Sequence, residues 1–235
     1  MSVETTATPG GGRGQPALTF LFVLIAGLAV AAGLWFGAST FRGLSKPLPL
    51  SLEQGTLLTQ PRPLADFALI DQGGRPFTLA NLRGAWTFLS LGYTHCPDVC
   101  PMTLATFDAV ERRIAESGAK SAGGRQVVAR PRFLFVSVDP ERDTPERLAQ
   151  YVRYFNPGFL GATGEEPQLR ALAAQLGLLY ARVEGQDTAM GYLMDHSASI
   201  LLVDPQGRLT AIFSTPHDAA LMASDFLTIA ANHQP

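Results

Sequence analysis

The stretch Trp86-Thr87-Phe88-Leu89-Ser90-Leu91-Gly92-Tyr93-Thr94-His95-Cys96-Pro97-Asp98-Val99-Cys100-Pro101 decides how the chain reads. Its first half is a dense aromatic and aliphatic run, which predicts a central strand buried on both faces. Its second half holds the only two cysteines in the sequence. A pair this close is suited to forming a disulfide, to binding a soft metal, or to both in turn. Each cysteine precedes a proline, and that position is pushed out of helical geometry. The pair therefore does not lie on one face of a regular helix. Cys96 is expected in a turn, Cys100 as a helix cap and Pro101 as the first helical residue. The helix N-terminus then directs its free N–H groups and positive dipole end at the sulfurs. That favours thiolate, the form that binds metal and attacks disulfides.

Working outward, Leu104, Phe107, Val110 and Ile114 recur at three-four spacing, so residues 101–117 read as an amphipathic helix. Residues 132–138 (RFLFVSV) read as the next buried strand. Thr144 and Pro145 suit the cap and first position of a following helix, which runs to about residue 155 before Asn156-Pro157-Gly158 stops it. A helix over 167–176 closes at Gly177, and a short strand is expected at 180–183. Residues 185–194 read as a polar, irregular loop, expected to be mobile. Strands at 198–203 and 209–213 flank a hairpin turn, and a last helix covers 216–231. Upstream, 67–70 and 77–79 form a hairpin around Asp71–Arg75. The order βαβα followed by ββα is the α/β plan of a thioredoxin-like domain, a central mixed sheet flanked by helices. In such folds redox and metal groups sit at the carboxyl ends of strands.

The chain has 235 residues and a formal net charge of −2, with no long basic run, which argues against nucleic acid as partner. Two cysteines are too few for a disulfide scaffold or a four-cysteine zinc site. Residues 1–16 read as a disordered tail. Residues 17–38 carry no charge. As a helix they span roughly 33 Å, enough for a bilayer core. A cleavable signal peptide ending near Ala29-Val30-Ala31 is the alternative. An uncleaved transmembrane anchor is favoured, because the apolar run continues past that site and only Arg13 precedes it among basic residues. Either way the domain is expected outside the cytoplasm. Residues 39–63, with four prolines between 41 and 63, read as a linker, and 64–235 as the domain.

Four histidines are candidates for a third donor. His233 is expected to be solvated in the tail, and His217 to be a cap or surface residue. His95 adjoins Cys96 and is expected to point away from it. His196 precedes a core strand. A residue entering that strand is expected at the same end of the sheet as one leaving a neighbouring parallel strand, where the cysteines lie. On spacing alone it is either a surface residue or a ligand. Asp98 is expected to be solvated and Asp139 to lie near the site, while Arg142 and Asp143 read equally as a local ion pair or as a docking feature.

Three blocks carry a family resemblance. The run Gly92-Tyr93-Thr94-His95-Cys96-Pro97-Asp98-Val99-Cys100-Pro101 resembles the signature of the Sco/SenC family of copper proteins. Val136-Ser137-Val138-Asp139-Pro140-Glu141-Arg142-Asp143-Thr144-Pro145 resembles its second block, and Asp195-His196-Ser197-Ala198 its third. The resemblance implies a thioredoxin-like fold tethered to the bacterial inner membrane, with its soluble domain in the periplasm. It implies copper, as Cu(I) and Cu(II), bound by Cys96, Cys100 and His196. It also implies a metallochaperone that supplies copper to, or prepares the cysteines of, the dinuclear centre of cytochrome c oxidase. Its partners would be the copper-receiving oxidase subunit, a copper donor and thiol reductant proteins. The competing reading is a thiol-disulfide oxidoreductase working through Cys96 and Cys100. Against it stand the three-residue gap between the cysteines and Asp195-His196 at the place where thioredoxins carry a cis-proline.

Overall fold

The structure, a computed structural model, describes residues 15–42, 50–120, 130–188 and 191–233. The chain divides into two compact units, residues 1–49 and 50–235. Among the described residues the first holds one helix, α1 (Gln15–Arg42), of 28 residues. It is longer at both ends than the 17–38 segment read from the sequence, and its start takes in the last two residues of the expected tail. No residue of its window Phe20–Gly37 is buried, and the window is long and apolar enough to cross a membrane.

The second unit begins with β1 (Gly55–Pro63), β2 (Ala68–Asp71), β3 (Pro76–Thr78) and the short α2 (Leu79–Leu82). Next come β4 (Thr87–Gly92), α3 (Val99–Lys120), β5 (Arg132–Ser137), α4 (Pro145–Phe155), β6 (Leu160–Thr163) and α5 (Glu166–Leu176). The chain closes with β7 (Tyr180–Thr188), β8 (Gly191–His196), β9 (Ile200–Val203), β10 (Arg208–Phe213) and α6 (Ala219–Asn232). Eight strands make one mixed sheet in the order β1-β10-β9-β4-β5-β6-β2-β3. The pairs β4–β5 and β5–β6 are parallel, and the other ladders are antiparallel. The unit is an α/β, thioredoxin-like domain.

Every residue of β4 is buried, including Thr87 and Ser90, which is why its sequence is largely apolar rather than alternating. Phe88 packs on one face with Phe107, Phe133, Phe213 and Phe226. Leu89 and Leu91 pack on the other with Leu134, Val136, Leu169 and Leu201. Thr144 caps α4 by accepting from the Arg147 N–H, with Pro145 in the first turn. Gly177 ends α5 in the left-handed conformation, φ 71°.

Three expectations are corrected. The latter part of the expected linker, residues 55–63, is the edge strand β1, paired with β10. An edge strand tolerates its prolines because one side needs no ladder donors. The expected loop at 185–194 is largely β7 and β8, an antiparallel hairpin forming a separate two-stranded sheet, with residues 189–190 outside the described ones. His196 is therefore the end of a paired strand, opposite Tyr180, and not part of a mobile loop. Finally, β9 runs antiparallel to β4, with Leu201 opposite Leu89. It is this antiparallel direction, and not a parallel one, that brings the start of β9 to the carboxyl end of β4.

Candidate metal centre

The donors gather where β4 and β5 end. Beyond β4 the chain turns, with the Cys96 N–H bonded to the Tyr93 carbonyl at 3.3 Å. Helix α3 starts at Val99, two residues earlier than the proline signal suggested, so Cys100 lies inside its first turn rather than capping it. The Cys100 N–H points back at the Cys96 sulfur, 3.4 Å away. The anticipated gift of helix N-terminal N–H groups to a thiolate is thus made to Cys96. Asp98 is exposed, as expected of a solvated residue.

Cys100 is buried and Cys96 half-buried, and both are free thiols. His196 Nε2 stands 3.3 Å from Cys100 Sγ. One donor atom from each of Cys96, Cys100 and His196 lies within 4.8 Å of the others. The His196 Nδ1 lies 3.2 Å from the Ser197 carbonyl. A carbonyl only accepts, so Nδ1 carries a proton in that bond and Nε2 is the nitrogen left facing the sulfurs. Gly92 makes room for this: a Cβ there would come within 2.9 Å of Cys100 Sγ and would also collide with the Phe135 ring.

The two sulfurs are electrostatically unlike. The hydrogen bond from the Cys100 thiol draws Cys96 down to about 3 against its partial burial, helped by His196 and by the N–H groups of Asp98 and Cys100. The bond to Cys96, burial and the Cys96 charge push Cys100 far above the ordinary thiol value. The pair holds one proton between its sulfurs, Cys96 as thiolate and Cys100 as thiol.

The other histidines go elsewhere. His95 Nδ1 faces Thr94 Oγ1 at 3.2 Å and Asp143 Oδ1 at 3.5 Å. His217 Nε2 lies 3.2 Å from the Phe213 carbonyl. The cap of α6 is Asp218, which accepts from the Ala220 and Leu221 N–H groups. His233 is not a solvated tail residue: its ring packs edge-on against Trp86, centroids 4.8 Å apart, and meets Gln206 Oε1 at 2.8 Å.

The block after β5 holds the surroundings together. Asp143 does not pair with Arg142. It is fully buried and accepts from the Thr94 N–H (2.7 Å), Thr94 Oγ1 (2.6 Å) and Ser137 Oγ (2.6 Å). Arg142 instead donates to Asp139 Oδ2 at 2.5 Å. Asp139 also accepts from the Tyr192 hydroxyl at 2.6 Å, so it touches the hairpin that carries His196. Tyr93 was not singled out from the sequence. Its ring lies edge-on to His196, centroids 6.0 Å apart, and its hydroxyl meets the Met194 backbone and Cys96. Burial, first of all, raises its pKa. In the sequence Tyr93 reads only as the end of an apolar run and Tyr192 as part of a polar loop, and neither His196 for the first nor Asp139 for the second is near in sequence.

The fold and this cluster define a class: thioredoxin-like domains with two cysteines and a histidine converging at the carboxyl end of a central strand. The SCO1/SenC family model matches residues 57–231. The chain belongs to the SCO1/SenC family. It is 34% identical to human mitochondrial SCO2 homolog over 212 residues, covering 89% of this chain and 76% of that protein. It is 36% identical over 152 residues to mitochondrial SCO1 homolog 1 of Arabidopsis thaliana, covering 65% of this chain but only 42% of that longer protein. The crystal structure of A. thaliana ScoI with copper bound superposes with a TM-score of 0.62 at 32% identity, covering 71% of this chain and 96% of that one.

Proposed function

We propose that this chain is a membrane-tethered copper metallochaperone whose cargo is held by Cys96, Cys100 and His196. The observation that carries the reading is the convergence of two sulfurs and one imidazole nitrogen within 4.8 Å, on elements 96 residues apart in sequence. Two thiolates suit Cu(I), which accepts low coordination and prefers sulfur, and the imidazole extends the set to Cu(II). The relative of known structure with bound copper supports the choice of cargo. The domain organisation is α1 as anchor and residues 50–235 as the copper-binding domain on the periplasmic side of a bacterial inner membrane. A copper donor loads it, and the copper-receiving subunit of cytochrome c oxidase takes the metal.

The thiol asymmetry favours a second use of the same pair, preparing the receiver's cysteines. The Cys96 thiolate attacks one sulfur of the receiver's disulfide and the other leaves as thiolate. Cys100 gives up its proton and displaces the receiver from the mixed disulfide. The receiver gains two electrons as a dithiol, and a Cys96–Cys100 disulfide remains for a thiol reductant protein to reopen. The test mixes the full-length chain with the purified soluble domain of the receiving subunit, once copper-loaded with a reduced receiver and once metal-free with a disulfide receiver. Copper appearing in the receiver supports delivery, and receiver thiols appearing with loss of chain thiols support preparation. Neither transfer occurring would contradict the proposal.

A further inference from the structure

Among the described residues the hairpin of β7 and β8 pairs with no strand of the main sheet, although it delivers His196. A two-stranded ribbon is marginal by itself and needs docking contacts. At its base, Tyr180 is buried, its hydroxyl donates to Glu166 at 3.1 Å, and Arg170 lies 4.2 Å over its ring. Toward its far end the contact is Tyr192. The Tyr192 hydroxyl donates to Asp139 Oδ1 at 2.6 Å and also meets Glu141 Oε2 at 3.3 Å. The guanidinium carbons of Arg142 and Arg182 each stand 3.6 Å from its ring centroid, a spacing that places one on each face. Arg142 is itself held by Asp139 and lies 5.7 Å from the Tyr93 ring, whose edge contacts His196. Side chains alternate along a strand, so Tyr192, Met194 and His196 share one face of β8, the first and last roughly 13 Å apart.

We propose that Tyr192, gripped by Asp139 and Arg142, is the positioning residue that holds His196 against the cysteine pair. The inference rests on the reading of His196 as a copper donor. It also accounts for the block after β5. Asp139 and Arg142 leave the end of the strand beside the cysteine strand and clasp the ribbon that brings the third donor. With the clasp open, the sulfurs still converge, because Cys96 and Cys100 are placed by β4 and α3. The site then changes from three donors to two, which costs Cu(II) far more than Cu(I).

The test uses the full-length protein, Tyr192→Ala, Tyr192→Phe and His196→Ala, and the double variant Tyr192→Ala/His196→Ala. Affinities are measured for Cu(II) and Cu(I), and amide hydrogen exchange is followed in metal-free β7–β8. Tyr192→Ala should lower Cu(II) affinity about 10- to 100-fold, the range for partners that orient a ligand. It should leave Cu(I) stoichiometry at one per chain, speed exchange in the ribbon, and have no further effect once His196 is alanine. Tyr192→Phe keeps the ring between the arginines and should fall between Tyr192→Ala and the parent. An equal Cu(II) loss with and without His196, or unchanged ribbon exchange, overturns the clasp. If His196→Ala binds Cu(II) as tightly as the parent, the donor reading of His196 fails by itself. Hydrogen exchange then decides the clasp alone, faster exchange upholding it and unchanged exchange overturning it.

Discussion

Replacing Asp143 with alanine should destabilise the domain more than any exposed charge substitution. Its carboxylate is fully buried and accepts three hydrogen bonds, two from Thr94 and one from Ser137, at 2.6 to 2.7 Å. Hydrogen bonds to a charged group contribute about 1.5–3 kcal/mol each. Against their sum stands the several kcal/mol of desolvation that the buried carboxylate no longer suffers. The alanine leaves the Thr94 N–H and two hydroxyls without an acceptor, at about 1–3 kcal/mol for each that finds no water. The net expected loss is about 3–5 kcal/mol, or roughly 10 °C in Tm for a domain of this size. The assay is urea unfolding of the reduced, metal-free protein followed by near-UV circular dichroism. Thr94 lies two residues before Cys96, so the same variant should also bind copper more weakly. A loss below about 1 kcal/mol would refute the reasoning, since it would mean that the three bonds contribute nothing beyond what water supplies.

Cys96, held near 3 by its hydrogen bonds, is thiolate across the neutral range. Its alkylation by iodoacetamide should therefore be nearly independent of pH between about 5 and 8, while Cys100 stays unreactive. In the urea-unfolded chain both rates should rise about tenfold per pH unit up to the ordinary thiol value, and mass spectrometry of the labelled peptides reads out both. Because the folded Cys96 value is depressed, its contribution to stability is complete above the unfolded thiol pKa and is lost as pH falls toward 3; the raised Cys100 value acts in the opposite direction above the unfolded pKa. Asp225→Ala removes the one carboxylate that accepts from the N–H groups of Glu53, Gln54 and Gly55 at 2.7 to 2.9 Å. It should cost about 2–3 kcal/mol in urea unfolding and speed amide exchange at the start of β1.

Much of the domain was legible because its strongest signals are local. The apolar run of β4, the three-four spacing in α3 and the Thr144-Pro145 cap each follow from neighbours in sequence. The cysteine pair is equally local, and its place at a strand-to-helix junction follows from its two prolines. The missed elements are those stabilised by distant partners. β1 has a polar, proline-containing sequence and is a strand because β10 offers it an edge. β6 has four residues and takes its identity from β5 and β2. Where its burial is described, every residue of the β7–β8 ribbon except Tyr180 is partly buried or exposed, so no apolar pattern announced it beyond the strand expected at 180–183. The same holds at the site. Asp143 meets Thr94 across 49 residues and Tyr192 meets Asp139 across 53, and nothing in the local sequence links either pair. His196 was visible as a candidate from its place before a core strand, although its geometry comes from an antiparallel ladder that the order of elements did not reveal.

The central claim is that the three donors form one copper site, and copper titration of the reduced full-length protein tests it most directly. The expected result is one copper per chain, with a sulfur-to-copper charge-transfer band for Cu(II) that disappears in Cys96→Ser and weakens in His196→Ala. Absence of copper uptake by the reduced protein, or binding indifferent to both substitutions, would contradict it.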